Sequence, residues 1–343
     1  MAVTTIRDVA RLAGVGLGTA SRVVSGNGSV SPDTREKVLW AIQQLDFRPS
    51  HAARALTTGV TQMIGVYIPI LKGSFYTPVL RLIDTELRVA GRHMVVAFGV
   101  GQGDASQQAK EGVDFLIERG CDGTLVFGNA LPEHDIAELM LRQSRLVVLN
   151  HAYSGMEEHC FCIDHTQGGR LAARELLDHG HRQMAVIAGP SSAPDNVQRV
   201  SGFIEELQRD GIDTADLWVA ESDFSPEGGW AAAALLLASG RKVSAVFCAN
   251  DEMAMGAMAH FQQHGLAVPG DVSVIGYDDT AGGAFLVPPL TTVHIPWSEV
   301  TRNGLYALLE RCYGTPRPVP DPLLLGVTRR ASVARLASRR RRG

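Results

Sequence analysis

The 343-residue chain has no long apolar run. Its longest stretches, such as Ala231 to Ala238, fall far short of the roughly 18 residues that a membrane span needs. The opening segment MAVTTIRDVARLAG has no basic patch followed by an apolar one, so neither export nor a membrane anchor is expected, and the expected compartment is the cytoplasm. Cysteine is scarce. The five present (Cys121, Cys160, Cys162, Cys248, Cys312) are odd in number and lack a framework spacing, which suits reduced thiols. Cys160 and Cys162 alternate onto one face of a strand and read as core positions. Catalytic constellations are missing too. No Ser-His-Asp set stands out, GVGQGDAS lacks the GxGxxG spacing, and His260 with His264, four apart on a helix, has no third ligand and reads as a surface pair. Neither an enzyme, a cofactor nor a bound metal is expected. A net charge of −4 by itself argues against nucleic acid.

The distribution of charge argues the other way. Residues 1 to 60 hold seven Lys or Arg (Arg7, Arg11, Arg22, Arg35, Lys37, Arg48, Arg54) against four acids, a head of +3 on a body of −7. The arginine-rich end RRASVARLASRRRRG lacks leucine heptads and reads as a solvated tail. In the head, Thr5 can cap a helix with Asp8 in a capping box, and Ile6, Val9, Ala10 and Ala13 recur at helical spacing until Gly14. A second helix from about Leu17 buries Ala20, Val23 and Val24. A third opens with Ser31 as N-cap and Pro32 at its first position, and buries Val38, Ala41, Ile42 and Leu45. Two helices joined by a short glycine turn fit a helix-turn-helix, although an ordinary helical hairpin has the same pattern. Pro49 then breaks the run, SHAARAL offers a turn or two of helix, and TTGVTQ reads as a linker.

From Met63 the texture changes. Apolar strands (MIGVYIP, HMVVAFG, GTLVFG, RLVVLN, CFCID, MAVIAGP, SAVFCAN, VSVIGYDD) alternate with amphipathic helices at Pro78 to Ala90, Ser106 to Glu118, Gln167 to Leu177, Val197 to Gln208, Gly228 to Leu237, Asp251 to His264 and Pro296 to Leu309. Such alternation predicts doubly wound parallel sheets. The length of this region suits two lobes, with a ligand cleft outside the strands' carboxyl ends.

The head, TTIRDVARLAGVGLGTASRVVSGNGSVSPDTREKVLWAIQQLDFRPSHAARALTTGVTQMIGVYIP, together with GHRQMAVIAGP, CANDEMAMGAM, VPGDVSVIGYDDT, PPLTTVHIP and TRRASV, resembles the LacI/GalR family of bacterial transcription regulators, nearest its galactose and β-glucoside branch. The resemblance implies a small all-α helix-turn-helix head and a periplasmic-binding-protein-like α/β body of two lobes. It implies a DNA-binding domain at 1–48, a hinge helix and linker at 49–61, and an effector-binding and dimerisation domain at 62–343. Within that domain the N-lobe is placed at about 62–161 plus 293–322 and the C-lobe at about 162–292 plus 323–335. Implied partners are double-stranded operator DNA, a second copy of the chain in a homodimer, and a small effector expected to be a sugar; no membrane partner is expected. A nucleoside-type effector, or a sugar-binding protein without a regulatory role, is the alternative.

Carried over residue by residue, Thr5, Leu17, Gly18, Thr19, Ser21, Arg22 and Ser31 fall at DNA-contacting positions, and Leu56 and Ala53 at the minor-groove wedge and its small neighbour. Leu17 and Gly18 can read little, so Arg22 is left as the main base reader; its plain alternative is a solvated arginine. Phe75, Asn150, Asp195, Arg199, Phe224, Asn250 and Asp278 match effector positions. Ala193 stands where purine-binding relatives have an arginine, which tilts against a purine.

Overall fold

The computed structural model describes residues 4–25, 29–47, 59–100, 103–128 and 131–336. The chain forms two compact units, Met1–Met63 and Ile64–Gly343.

In the first unit, α1 (Ile6–Ala13), α2 (Leu17–Ser25) and α3 (Pro32–Gln44) close over Val9, Ala13, Val38 and Ala41. The Asp8 carboxylate accepts from the Thr5 backbone N–H at 3.0 Å and from its hydroxyl at 2.7 Å, which holds the Asp8 carboxyl below its ordinary range. Gly14 ends α1 with φ +64°, a left-handed conformation that glycine takes without steric cost. Ser31 caps α3 by accepting from Thr34 N–H at 3.4 Å, ahead of Pro32. Ala20 is fully buried as expected, whereas Val23, Val24, Ile42 and Leu45 are half-buried at the rim.

The second unit carries two sheets. The N-lobe sheet runs β2-β1-β3-β4-β5, from β1 (Met63–Ile68), β2 (His93–Phe98), β3 (Gly123–Phe127), β4 (Leu146–Leu149) and β5 (Cys160–Phe161). The C-lobe sheet runs β11-β10-β9-β8-β6-β7, from β6 (Met184–Ala188), β7 (Trp218–Glu221), β8 (Ala245–Cys248), β9 (Ser273–Asp278), β10 (Thr291–His294) and β11 (Gly326–Thr328). Strands such as β3, β4, β6, β8 and β9 are buried along their whole length, which is why they read as continuous apolar runs. Each fully buried Val, Leu or Ile there contributes roughly 1.5–3 kcal/mol. Helices α4 (Tyr76–Val89), α5 (Ala105–Glu118), α6 (Glu133–Arg142), α7 (His165–Asp178), α8 (Pro194–Arg209), α9 (Pro226–Ala238), α10 (Asp251–Gln263) and α11 (Trp297–Tyr313) connect the strands. After β10 the chain leaves the C-lobe sheet, and α11 lies against β3, β4 and β5 of the N-lobe.

Several details differ from the sequence expectation. Helix α6 and strands β7, β10 and β11 were not anticipated, and β11 runs antiparallel to β10, so the C-lobe sheet is mixed. His260 and His264 are not a surface pair. His260 is buried, its ring stacked on His264 at 4.1 Å and edge-on to Trp230 at 4.8 Å. Helices α7 and α8 pack closely through glycine: a Cβ on Gly169 would collide with the Arg199 carbonyl, and one on Gly202 with that of Thr166. Among the described residues no helix is long and apolar enough to cross a membrane.

Candidate functional site

The head presents α2. Leu17 (46 % exposed), Gly18 and Arg22 lie on its open surface, while Thr19 and Ser21 are half-buried. A Cβ at Gly16 would meet nothing within 4 Å and one at Gly18 only the Arg22 guanidinium at 4.0 Å, so neither glycine is demanded by packing. With no side chain at Gly18, the exposed Arg22 guanidinium lies over that position beside the apolar Leu17, so its fork is the exposed polar group on this part of α2. Thr5 and Ser31 are exposed but engaged in caps, so each has a folding role beside its expected DNA contact. Ala53 and Leu56 lie outside the described residues.

In the second unit a cavity of about 590 Å³ opens between the two lobes. All seven expected residues line it: Phe75, Asn150, Asp195, Arg199, Phe224, Asn250 and Asp278. Their backbones explain the placement. Asn150 (φ +67°), Phe224 (φ +63°) and Asp278 (φ +103°) stand at the ends of β4, β7 and β9 in conformations that L residues adopt at a cost, and such strain gathers at binding sites.

Arg199, buried on α8, is the centre. Its Nη2 donates to Asp195 Oδ2 at 2.8 Å, one helical turn back, its Nη1 donates to the Ala249 carbonyl at 2.7 Å, and Nη1 lies 3.8 Å from Asp278 Oδ1. The guanidinium also sits 4.3 Å from the centre of the Tyr277 ring. Trp297 Nε1 donates to Asp278 Oδ1 at 3.3 Å. Burial pushes the Asp278 carboxyl up to about 7, against the pull of Arg199. Asn250 lines the cavity, yet its side chain is spent on structure: Oδ1 accepts from Met253 N–H at 2.8 Å to cap α10, and Nδ2 donates to the Phe224 carbonyl at 3.0 Å. It therefore fixes Phe224, whose backbone needs the support.

Sequence reasoning missed a second tier. Tyr76, Trp297 and Phe127 complete an aromatic cluster in which Phe75 meets Tyr76 edge-on at 4.8 Å and Trp297 at 5.0 Å. Glu252 also went unnoticed; it reaches across from α10 to accept from the Ser74 hydroxyl at 2.8 Å and from its N–H, tying the two lobes at the cavity mouth. Most telling is His165, at the crossing from β5 into α7. Asn150 Nδ2 donates to Asp195 at 3.3 Å, so Asn150 Oδ1 must accept from His165 Nε2 at 2.6 Å. His165 Nδ1 is then the acceptor for the Tyr277 hydroxyl at 2.8 Å. Burial, with Arg199 nearby, pushes the imidazole well below its ordinary range and keeps it neutral, as this pattern requires. Only the adjacent IDHT could have signalled it, since a histidine at a helix start follows no motif.

Comparison with known proteins bears on both units. Residues 5–50 match the model for bacterial regulatory proteins of the lacI family, and residues 173–333 that for a periplasmic binding protein-like domain. The HTH-type transcriptional regulator GalS of Salmonella typhimurium is 32% identical, with 91% of each chain covered. A LacI-family transcriptional regulator from Burkhoderia phymatum superposes with TM-score 0.77 at 48% identity, over 80% of this chain and all of that one. The lac repressor dimer bound to operator and the anti-inducer ONPF gives TM-score 0.83 at 28% identity, over 97% of this chain and 100% of that one. A complex of the regulator CelR with cellobiose gives 0.68 at 32%, over 96% and 99%. With its helix-turn-helix head and two-lobed ligand-binding body, the chain belongs to the LacI family of DNA-binding transcriptional regulators.

Proposed function

We propose that a sugar or glycoside binds between the two lobes and sets the affinity of a homodimer for its operator, the output being repression of carbohydrate-utilisation genes. The observation that carries this reading is the cavity itself. It joins a hydrogen-bonding cluster (Asn150, Asp195, Arg199, Asp278) to an aromatic one (Phe75, Tyr76, Trp297), and a pyranose needs both, the first for its hydroxyls and the second for its C–H faces. The cellobiose complex of CelR and the operator-bound lac repressor dimer support the reading by likeness. In the head, Arg22 reads a guanine in each half-site, Thr19 and Ser21 set the register on phosphates, and Leu56 wedges the central base step beside Ala53.

The test is an operator selected from random duplexes, followed by gel shift and thermal unfolding against monosaccharides, disaccharides, glycosides and nucleosides. One sugar is expected to raise the unfolding temperature and to change operator affinity by about 5- to 150-fold. Response to nucleosides and to no sugar would overturn the effector assignment and leave the regulator standing.

A further inference from the structure

We infer that the effector carries no negative charge: the cavity is built for a neutral sugar and rejects phosphate esters and uronic acids. The inference rests on the sugar reading and narrows it. Among the described residues seven acidic or basic side chains line the cavity, and five of them are carboxyl groups (Asp104, Asp195, Asp223, Glu252, Asp278) against the two cations Lys72 and Arg199. Both cations are already balanced. Arg199 lies between Asp195 and Asp278 and donates with both terminal nitrogens inside the protein, while its Nε is buried without a hydrogen-bond partner. Lys72, at the mouth, faces Glu227 at 3.9 Å.

Helix N-termini are the usual rival source of anion affinity, and several open onto this cavity. At three of these helices a side chain already accepts from first-turn N–H groups. Asp104 accepts from Ser106 and Gln107 at the start of α5, Ser225 from Gly228 at the start of α9, and Asn250 from Met253 at the start of α10. Asp195 places a carboxylate in the first turn of α8, and Glu252 occupies the Ser74 N–H just ahead of α4. Side-chain acceptors, three of them carboxylates (Asp104, Asp195, Glu252), thus stand where a phosphate would bind, and the carboxylates offer acceptors to a ligand that donates from hydroxyls. An anion entering this cavity meets uncompensated like charge in a partly desolvated space.

Calorimetry on the full chain, at low and high sodium chloride, with glucose, galactose and cellobiose, the 6-phosphates of the two hexoses, glucuronate and inorganic phosphate, tests this. The sugar that binds is expected to bind at least tenfold more tightly than its phosphate ester or acid, with the gap narrowing in high salt, and inorganic phosphate neither stabilises the protein nor competes. In an Asp223→Asn/Glu252→Gln variant the gap closes at least threefold; the salt series on the unaltered protein gives the same discrimination if that variant folds poorly. An ester that binds as tightly as its parent, or more so, overturns this inference while the sugar reading stands. No response to any sugar or ester overturns both.

Discussion

At the scale of single residues, the carboxyl of Asp278 carries the most information. Its pKa in the folded chain is raised by burial to about 7, and that of Asp251 to about 6, although Thr292 and Thr280 donate to Asp251. A raised acid favours its protonated form in the folded state. The stability that each contributes is therefore full below the unfolded value near 4 and is lost as pH rises through the folded one. Asp278→Asn is expected to flatten the fall in unfolding temperature between about pH 5 and 7.5, measured against the unaltered protein. The same substitution is expected to remove a rise in effector affinity across pH 7, read by calorimetry, because a carboxylate accepts more strongly than the protonated acid from a ligand hydroxyl. Arg199→Ala has a different expected signature: it leaves the buried Asp195 carboxylate without its cation, while Asp278 takes up a proton, and it is expected to destabilise the fold by about 3–5 kcal/mol, read by denaturant unfolding. Arg22→Ala, on the exposed face of α2, leaves unfolding and effector binding unchanged and costs about 1–3 kcal/mol in operator affinity.

At the scale of elements, the contact between α7 and α8 links packing to the site. A methyl group on Gly169 has nowhere to go but into the carbonyl of Arg199, so Gly169→Ala must push α8 away and carry Arg199 and Asp195 with it. The expected result is a loss of about 1–3 kcal/mol in stability together with weakened effector binding, whereas Gly91→Ala, where a Cβ meets nothing, costs only the strain of its positive φ. His165→Gln is a gentler probe. Its amide can donate to Asn150 but cannot accept from Tyr277, so it is expected to keep effector affinity within a few-fold while reducing the coupling between effector and operator. The same elements mark what could be read from sequence. The strands that place Asn150, Asn250 and Asp278 are buried on both faces and announce themselves as apolar runs. The others do not. β7 is a four-residue edge with alternating exposure, and β10 buries Thr291 and Thr292 because the Thr291 hydroxyl accepts from the Arg330 N–H and the Thr292 hydroxyl donates to Asp251, so its residues look polar. Glu252 and Trp297 gain their roles from contacts across the lobes, which no local pattern encodes.

At the scale of the whole molecule, neither lobe is one continuous stretch. The N-lobe takes α11 from beyond the C-lobe strands, and the C-lobe takes β11 from beyond α11. The head, by contrast, is a local fold, its described residues 4–25 and 29–47 closing over a core of their own. A chain ending before Gly326 is expected to give a folded head and an incompletely closed body, seen as a protease-resistant N-terminal fragment beside a digested remainder.

The final segment, fastened by Ser332, Ala334 and Leu336, also sets a timetable. Ser332 donates to the Val274 carbonyl at 2.6 Å, and the Ala334 carbonyl meets His181 at 3.0 Å, so residues from Gly326 onward complete and fasten a sheet begun at Met184. A ribosome adding about 5–20 residues per second delivers the head on the order of 15–60 s before it delivers that last strand. Throughout this interval the nascent chain displays a finished helical reader on an unfinished sensor. Completion of the ligand-binding body thus comes well after that of the head, and a message stalled before Gly326 is expected to leave behind a folded head beside an unfinished body.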